Sequence, residues 1–222
     1  MKKILVLLLL LSISTSFCAC GQKVLKTNDI FYMNVYKVSS SKVKYTANPS
    51  AVLTLGSDRK KVESIMGKGQ AYTAAGSMQT VYYTGGLTVL YDTDTVALLD
   101  YTLDETSIPE VRNRAFSFYK GVNLSSTIDN ITSLLGQDSF VMKTDAKGSP
   151  AQMVYAYEMI NGEYGHQVLP NSSTSQTDQI NSLSGNNNVY GIMLYVDSNP
   201  RYQQLYRVKI GKLSDILEFR ND

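Results

Sequence analysis

Cysteine, histidine and tryptophan are scarce in this sequence. Its 222 residues include 2 cysteines, 1 histidine and no tryptophan, and both cysteines fall within the first twenty positions. Beyond Cys20 the chain therefore has no disulfide, no thiolate metal site and no cysteine nucleophile. His166 has neither a second histidine with which to hold a metal nor a cysteine to activate. We predict no catalytic residue, no metal site and no cofactor.

An excess of charge of either sign is also missing. The chain carries 21 basic and 19 acidic residues, a formal net charge of +2. Lys2 and Lys3 account for this excess, since positions 1–20 contain no acidic residue. Surfaces that bind phosphate backbones usually show a basic excess or a basic stripe. Nucleic acid is therefore not an expected partner.

The N-terminal segment has the layout of a secretory signal. Two lysines at positions 2 and 3 precede an apolar run at 4–11, which is too short to cross about 30 Å of hydrocarbon as a helix. The sequence FCAC at 17–20 resembles a bacterial lipobox. That resemblance implies that residues 1–19 are removed and that diacylated Cys20 anchors an exported, extracytoplasmic protein in the lipid bilayer. A plain signal peptide without lipid is the alternative.

One short helical pattern occurs twice, 69 positions apart, as GSDRKKVESIMG at 56–67 and SSTIDNITSLLG at 125–136. Ser57 and Ser126 stand where an N-cap oxygen would accept hydrogen bonds from the first turn. Apolar residues follow at positions i, i+3 and i+4, and a glycine closes each copy. The pattern predicts a short amphipathic helix in each copy.

After each predicted helix the apolar spacing changes to that of strands separated by turn residues. In the first copy the predicted strands cover 79–84, 87–91 and 96–103. In the second copy they cover 152–158, 191–198 and 201–210. The stretch 159–188, rich in Asn, Ser, Thr, Gln and Gly, is predicted to be a long surface loop inserted into the second copy.

These elements predict an α+β fold of two tandem helix-plus-antiparallel-meander repeats, with the helices packed on one face of the sheet. The expected first repeat is 50–105, and the second is 106–222 with the polar insertion at about 159–188. Residues 20–49 are expected to form the lipid anchor, a tether and a possible N-terminal hairpin over 30–47.

The doubled signature is apolar-x-Leu-[Gly/Ser]-Ser-x4-[Val/Ile]-x2-[Ile/Leu]-[Met/Leu]-Gly followed by a meander. It resembles the superfamily of the small lipoprotein of the outer-membrane β-barrel assembly machinery and of the β-lactamase inhibitory protein. Exported lipoproteins of Gram-positive bacteria look similar too, which implies such a source. Where the family often has proline after the closing glycine, this chain has Gly69 and Asp138. The resemblance implies non-catalytic protein binding through the sheet or its loops, and it names no partner.

Tyrosine is the residue type in excess, with 16 copies. The candidate binding residues are tyrosines on the predicted strands: Tyr82, Tyr83, Tyr155, Tyr157 and Tyr195. Neighbouring strand residues point to opposite faces, so one of each adjacent pair is expected on the open face of the sheet. Exposed tyrosine suits contacts with proteins or sugars. Pairing of these rings across the sheet for stability is the alternative.

The sequence therefore predicts a non-catalytic binding module for an envelope protein or a cell-wall polymer. One alternative is a cell-wall-active hydrolase, which would bring two carboxylates together in a cleft beside His166. Another is a small solute-binding lipoprotein, a class that typically needs two lobes and more residues.

Overall fold

The computed structural model describes residues 26–37, 49–103, 114–160, 163–197 and 204–219. The predicted signal peptide, Cys20 and the part of the predicted N-terminal hairpin at 38–47 lie outside these ranges. Within them, no helix combines the length and the apolar character that a membrane span requires.

The described chain is mostly β-strand. The strands are β1 (Tyr32–Lys37), β2 (Ala51–Thr54), β3 (Gln70–Ala75), β4 (Met78–Tyr83), β5 (Leu87–Asp92), β6 (Thr95–Thr102), β7 (Arg114–Ser117), β8 (Phe140–Thr144), β9 (Pro150–Ile160), β10 (Glu163–Val168), β11 (Val189–Val196) and β12 (Leu205–Lys212). The helices are α1 (Thr27–Ile30), α2 (Arg59–Met66), α3 (Ile128–Leu135), α4 (Gln176–Ser184) and α5 (Leu213–Glu218), with one 3-10 turn at Tyr119–Gly121.

Nine strands form one large antiparallel sheet in the order β10-β9-β11-β12-β6-β5-β4-β3, and β8 also pairs with β9. The antiparallel pair β6–β12 joins the two halves of this sheet, with Leu99 opposite Ile210. The remaining strands form a three-stranded sheet in the order β2-β1-β7. Strand β1 lies near the start of the predicted N-terminal hairpin over 30–47, and it pairs with β2 and β7.

The two faces of the large sheet are covered by different elements. The inner face packs against the small sheet, α2 and α3. The core between these elements includes Val35, Leu53, Val62, Met66, Val89, Ile131, Leu135, Leu194 and Ile210. The outer face is covered in part by α4 and α5, and its buried residues include Leu98, Phe140, Val154, Ile180, Met193, Leu213 and Ile216. The large sheet is therefore the central layer, with the small sheet, α2 and α3 on one side and α4 and α5 on the other.

The predicted arrangement of two helix-plus-meander repeats with helices on one face is wrong. The molecule is built on one large antiparallel sheet with helices on both faces and a second, smaller sheet. Eight neighbouring strands span about 34 Å, whereas a helix of eight residues is about 12 Å long. Two such helices cannot cover the apolar inner face, and the small sheet covers much of the rest.

The prediction of a surface loop over 159–188 is also wrong. This stretch contains the end of β9, all of β10 and the helix α4. The side chain of Ile180 on α4 is fully buried, and Leu183 packs against the same cluster. The polar composition concealed this helix, because two apolar residues spaced i, i+3 are enough to seat a surface helix.

The two predicted helices are confirmed as α2 and α3, but their N-caps lie one residue later than predicted. The Asp58 carboxylate accepts from the Lys61 backbone N–H at 2.7 Å, and the Thr127 hydroxyl accepts from the Asn130 N–H at 3.3 Å. The predicted cap serines close the preceding turn instead. Ser57 Oγ accepts from the Thr54 N–H, as Ser126 Oγ does from the Asn123 N–H.

Candidate binding surface on the outer face

Three of the five predicted tyrosines lie in the inner-face core. Tyr83, Tyr155 and Tyr157 are buried, so they offer no surface to a partner. The hydroxyls of Tyr83 and Tyr91 lie 2.7 Å apart, and Tyr155 donates a hydrogen bond to the Gly136 carbonyl at 2.8 Å. Their environment fits the alternative interpretation, in which strand tyrosines stabilise the fold.

The other two, Tyr82 and Tyr195, lie half-buried on the outer face. In the strand register, Tyr82 is followed across the sheet by Thr88, Asp100 and Lys209. The next row across the sheet runs Thr102, Arg207, Tyr195 and Gln152. This part of the outer face therefore carries aromatic and charged side chains beside the apolar cluster that packs under α4 and α5.

A buried ion pair organises this polar region. The Arg207 guanidinium donates to both carboxylate oxygens of Asp100, at 2.9 Å from Nε and 2.6 Å from Nη2. Asp100 is only 1 % exposed. The hydrogen bond to Asp100 raises the pKa of Arg207 above its ordinary value. The guanidinium also lies over the Tyr195 ring, 5.3 Å from its centroid, so three side chains of three strands are held in one arrangement.

Lys209 lies beside this pair and is only 4 % exposed. Its Nζ donates to the carbonyls of Ile216 and Phe219, at the C-terminal end of α5. Burial lowers the pKa of Lys209 to about 8, although the nearby Asp100 acts in the opposite direction. Lys209 therefore ties α5 to the sheet by bonding carbonyls that a helix leaves unpaired.

A pair of glycines determines where α5 lies. Gly191 on β11 stands directly opposite Gly211 on β12. A Cβ at Gly191 would come within 2.7 Å of Ile216 Cδ1, and one at Gly211 within 3.4 Å of Ile216 Cγ2. The two glycines leave space above the sheet that side chains would fill, and Ile216 occupies it.

A concavity of about 520 Å³ opens beside Tyr195. Its lining includes Leu103, Gln152 and Tyr206. Leu103 is 44 % exposed and Tyr206 is 39 % exposed. The ring centroids of Tyr195 and Tyr206 lie 6.1 Å apart. We call Leu103, Gln152, Tyr195, Tyr206 and Arg207 the outer-face patch.

Of the residues in this patch, only Tyr195 is among the binding residues that the sequence predicts. One signal was present in β12, where Arg207 and Lys209 alternate with the buried residues Val208 and Ile210. Alternating charges in an otherwise apolar strand indicate a polar face. No local signal indicates that β12 lies next to β6, which brings Arg207 to Asp100.

The features that would favour a hydrolase lie apart from this patch. His166 is exposed, and its Nε2 lies 3.6 Å from Glu158 Oε2. Asp92 and Asp215 line a separate concavity of about 770 Å³, whose lining does not include His166. Burial raises the pKa of Asp215. Among the described residues, no group of three or more His, Cys, Asp or Glu side chains is placed to hold a metal ion.

Comparisons with protein-family models, curated proteins and solved structures found no match for this chain. The resemblance to the superfamily of assembly and inhibitory proteins therefore stays a prediction.

Proposed function

We propose that this protein is a non-catalytic binding module, exported and held at a bacterial membrane by diacylated Cys20. Its outer-face patch contacts an envelope protein or a cell-wall polymer. The observation that carries this proposal is the stack of Arg207 on Tyr195 beside the exposed side chains of Tyr206 and Leu103. Tyrosine and arginine are the residue types that most often dominate binding energies.

The patch is ordered before any partner arrives. Asp100 holds the Arg207 guanidinium through two hydrogen bonds, and the ring of Tyr195 lies beneath it. Binding to such a surface loses little side-chain entropy, because the rotamers are already restricted. The apolar surface of Leu103 and Tyr206 would supply the contact area, and Gln152 a hydrogen-bonding amide.

The partners of the charged groups favour binding over catalysis. Arg207 is engaged by Asp100, and Lys209 donates to two helix carbonyls. A general acid or base needs an accessible group from which to transfer a proton. Both cations have structural partners, so this region of the outer face suits recognition better than proton transfer.

The test is capture of partners by the full chain in membranes of the producing bacterium. Tyr206→Ser is expected to weaken capture of an envelope protein or wall fragment by about thirtyfold, which corresponds to about 2 kcal/mol. Leu103→Ser is expected to act in the same direction. Leu169→Ser is the matched control, since Leu169 is 56 % exposed and does not line the concavity. Equal capture by Leu103→Ser, Tyr206→Ser and the control would refute the assignment of the patch.

The anchor is tested separately by incorporation of labelled palmitate. Cys20→Ser is expected to abolish labelling and to release the protein from the membrane, because the thiol is the proposed site of acylation. Cys18→Ser is the control and is expected to keep the label, since position 18 precedes the cleavage site. Palmitate labelling that survives Cys20→Ser would contradict the anchor.

A further inference from the structure

The two edges of the large sheet are built differently. Strand β3 forms one edge. At the other, β8 and β10 pair with successive parts of β9, β8 with residues 150–154 and β10 with residues 156–160. An edge strand exposes unpaired backbone N–H and C=O groups, and proteins usually protect such edges with charge, irregular pairing or a covering element.

The β8–β10 edge carries such protection. The pairing of β8 with β9 shifts register on both sides of Lys143, whose side chain is exposed. The pairing of β10 with β9 shifts register between Tyr164 and His166. His166 itself is exposed beside Glu158, so a charged or polar pair lies on this edge.

Strand β3 has little of the protection that the β8–β10 edge has. Its sequence is QAYTAA, without charge or proline, and all six side chains are exposed. One register shift occurs between Ala71 and Thr73, and from Thr73 to Ala75 the pairing with β4 is regular. Tyr72 is 62 % exposed and lies against Tyr82, with ring centroids 5.2 Å apart. Among the described residues, β4 is the only strand that pairs with β3.

We propose that β3 is a self-association edge, on which a second copy of this chain pairs its own β3 in antiparallel orientation about a two-fold axis near Thr73 and Ala74, within the part of β3 that pairs regularly with β4. A single unprotected edge in the large sheet gives a closed dimer, whereas two such edges would give an open chain of subunits. The uncharged sequence of β3 suits pairing with itself, because identical strands would otherwise bring like charges into opposition. The formal net charge of only +2 adds little long-range repulsion between copies.

The test uses the full chain in its membrane and one introduced cysteine. The described residues contain no cysteine, so Ala74→Cys places a single thiol on β3. Mild oxidation with copper phenanthroline is expected to give a covalent dimer of twice the chain's mass. Lys143→Cys, on the opposite edge, is the matched control and is expected to stay at the level of the unsubstituted chain.

A second substitution separates pairing from random collision. Thr73→Lys in the Ala74→Cys chain is expected to reduce the disulfide-linked dimer at least tenfold by placing like charges near each other. Co-production with a chain carrying Thr73→Glu and Ala74→Cys is expected to restore it as a mixed dimer. Cross-linking of Ala74→Cys no greater than that of Lys143→Cys would overturn the proposal, as would a product containing a different protein. Tyr206→Ser is expected to leave cross-linking unchanged, so this inference can fail independently of the proposed function.

Discussion

Lys209 provides a direct test of the packing on the outer face, because its charge is buried. An ordinary lysine pKa of 10.5 is lowered to about 8 in the folded protein. Each pKa unit corresponds to about 1.4 kcal/mol, so the protonated form costs the fold about 3 kcal/mol. Below pH 8 Lys209 is protonated in both states, and this cost is present in full.

The sign of the pH dependence follows from proton binding. Between pH 8 and 10.5 the unfolded chain still binds the proton that folded Lys209 has released. Stability therefore rises with pH over this interval. From pH 7 to pH 10 the contribution of Lys209 to the free energy of unfolding is expected to rise by about 2.5 kcal/mol.

The assay is urea unfolding followed by far-ultraviolet circular dichroism at several pH values. Subtracting the free energy of unfolding of Lys209→Met from that of the unsubstituted chain removes contributions from all other titrating groups. As pH rises, the unsubstituted chain is expected to gain stability relative to Lys209→Met. Lys143→Met, which changes an exposed lysine on β8, is the matched control. A flat profile for Lys209→Met would show that the ammonium is well solvated, contrary to the packing described.

Three further changes test other parts of the structure by urea unfolding. Gly191→Ala is expected to cost about 1–3 kcal/mol, because the new methyl group meets Ile216; an unchanged midpoint would contradict the docking of α5. Thr93→Asn is expected to add roughly 0.5–1 kcal/mol, since Thr93 has a φ of 58° that suits asparagine better than a β-branched residue; a loss would show that the threonine side chain is needed. Asp100→Asn is expected to cost about 3 kcal/mol by leaving Arg207 half-buried without its counter-charge, and an effect below 1 kcal/mol would refute that role.

The sequence was most informative where a structural choice depends on close neighbours in the chain. The apolar spacing of Val62 and Met66 and of Ile131 and Leu135 predicts α2 and α3, and these residues are the buried ones in both helices. The turn at Gly85 and Gly86 likewise separates β4 from β5 as predicted. The helix α4 escaped prediction because its 9 residues hold a single buried side chain, Ile180.

The functional surface could be predicted only in part. Alternation along β4 indicates that Tyr82 and Tyr83 point to opposite faces, and the structure places Tyr83 in the core. Which of the two would be buried depends on where the covering elements lie, and that is not encoded within the strand. The sequence correctly predicts that Tyr195 lies on a strand, but its neighbour Arg207 comes from β12.

By itself, the sequence determined the two short helices, the main hairpins and the scarcity of thiol and imidazole chemistry. These depend on backbone preferences and apolar spacing within about fifteen residues, and on composition. Tertiary structure alone decided that Asp100 meets Arg207 and that α5 lies on Gly191 and Gly211. Those contacts join residues far apart in the chain, and they form only when β6 and β12 pair in one register and bury their apolar side chains together.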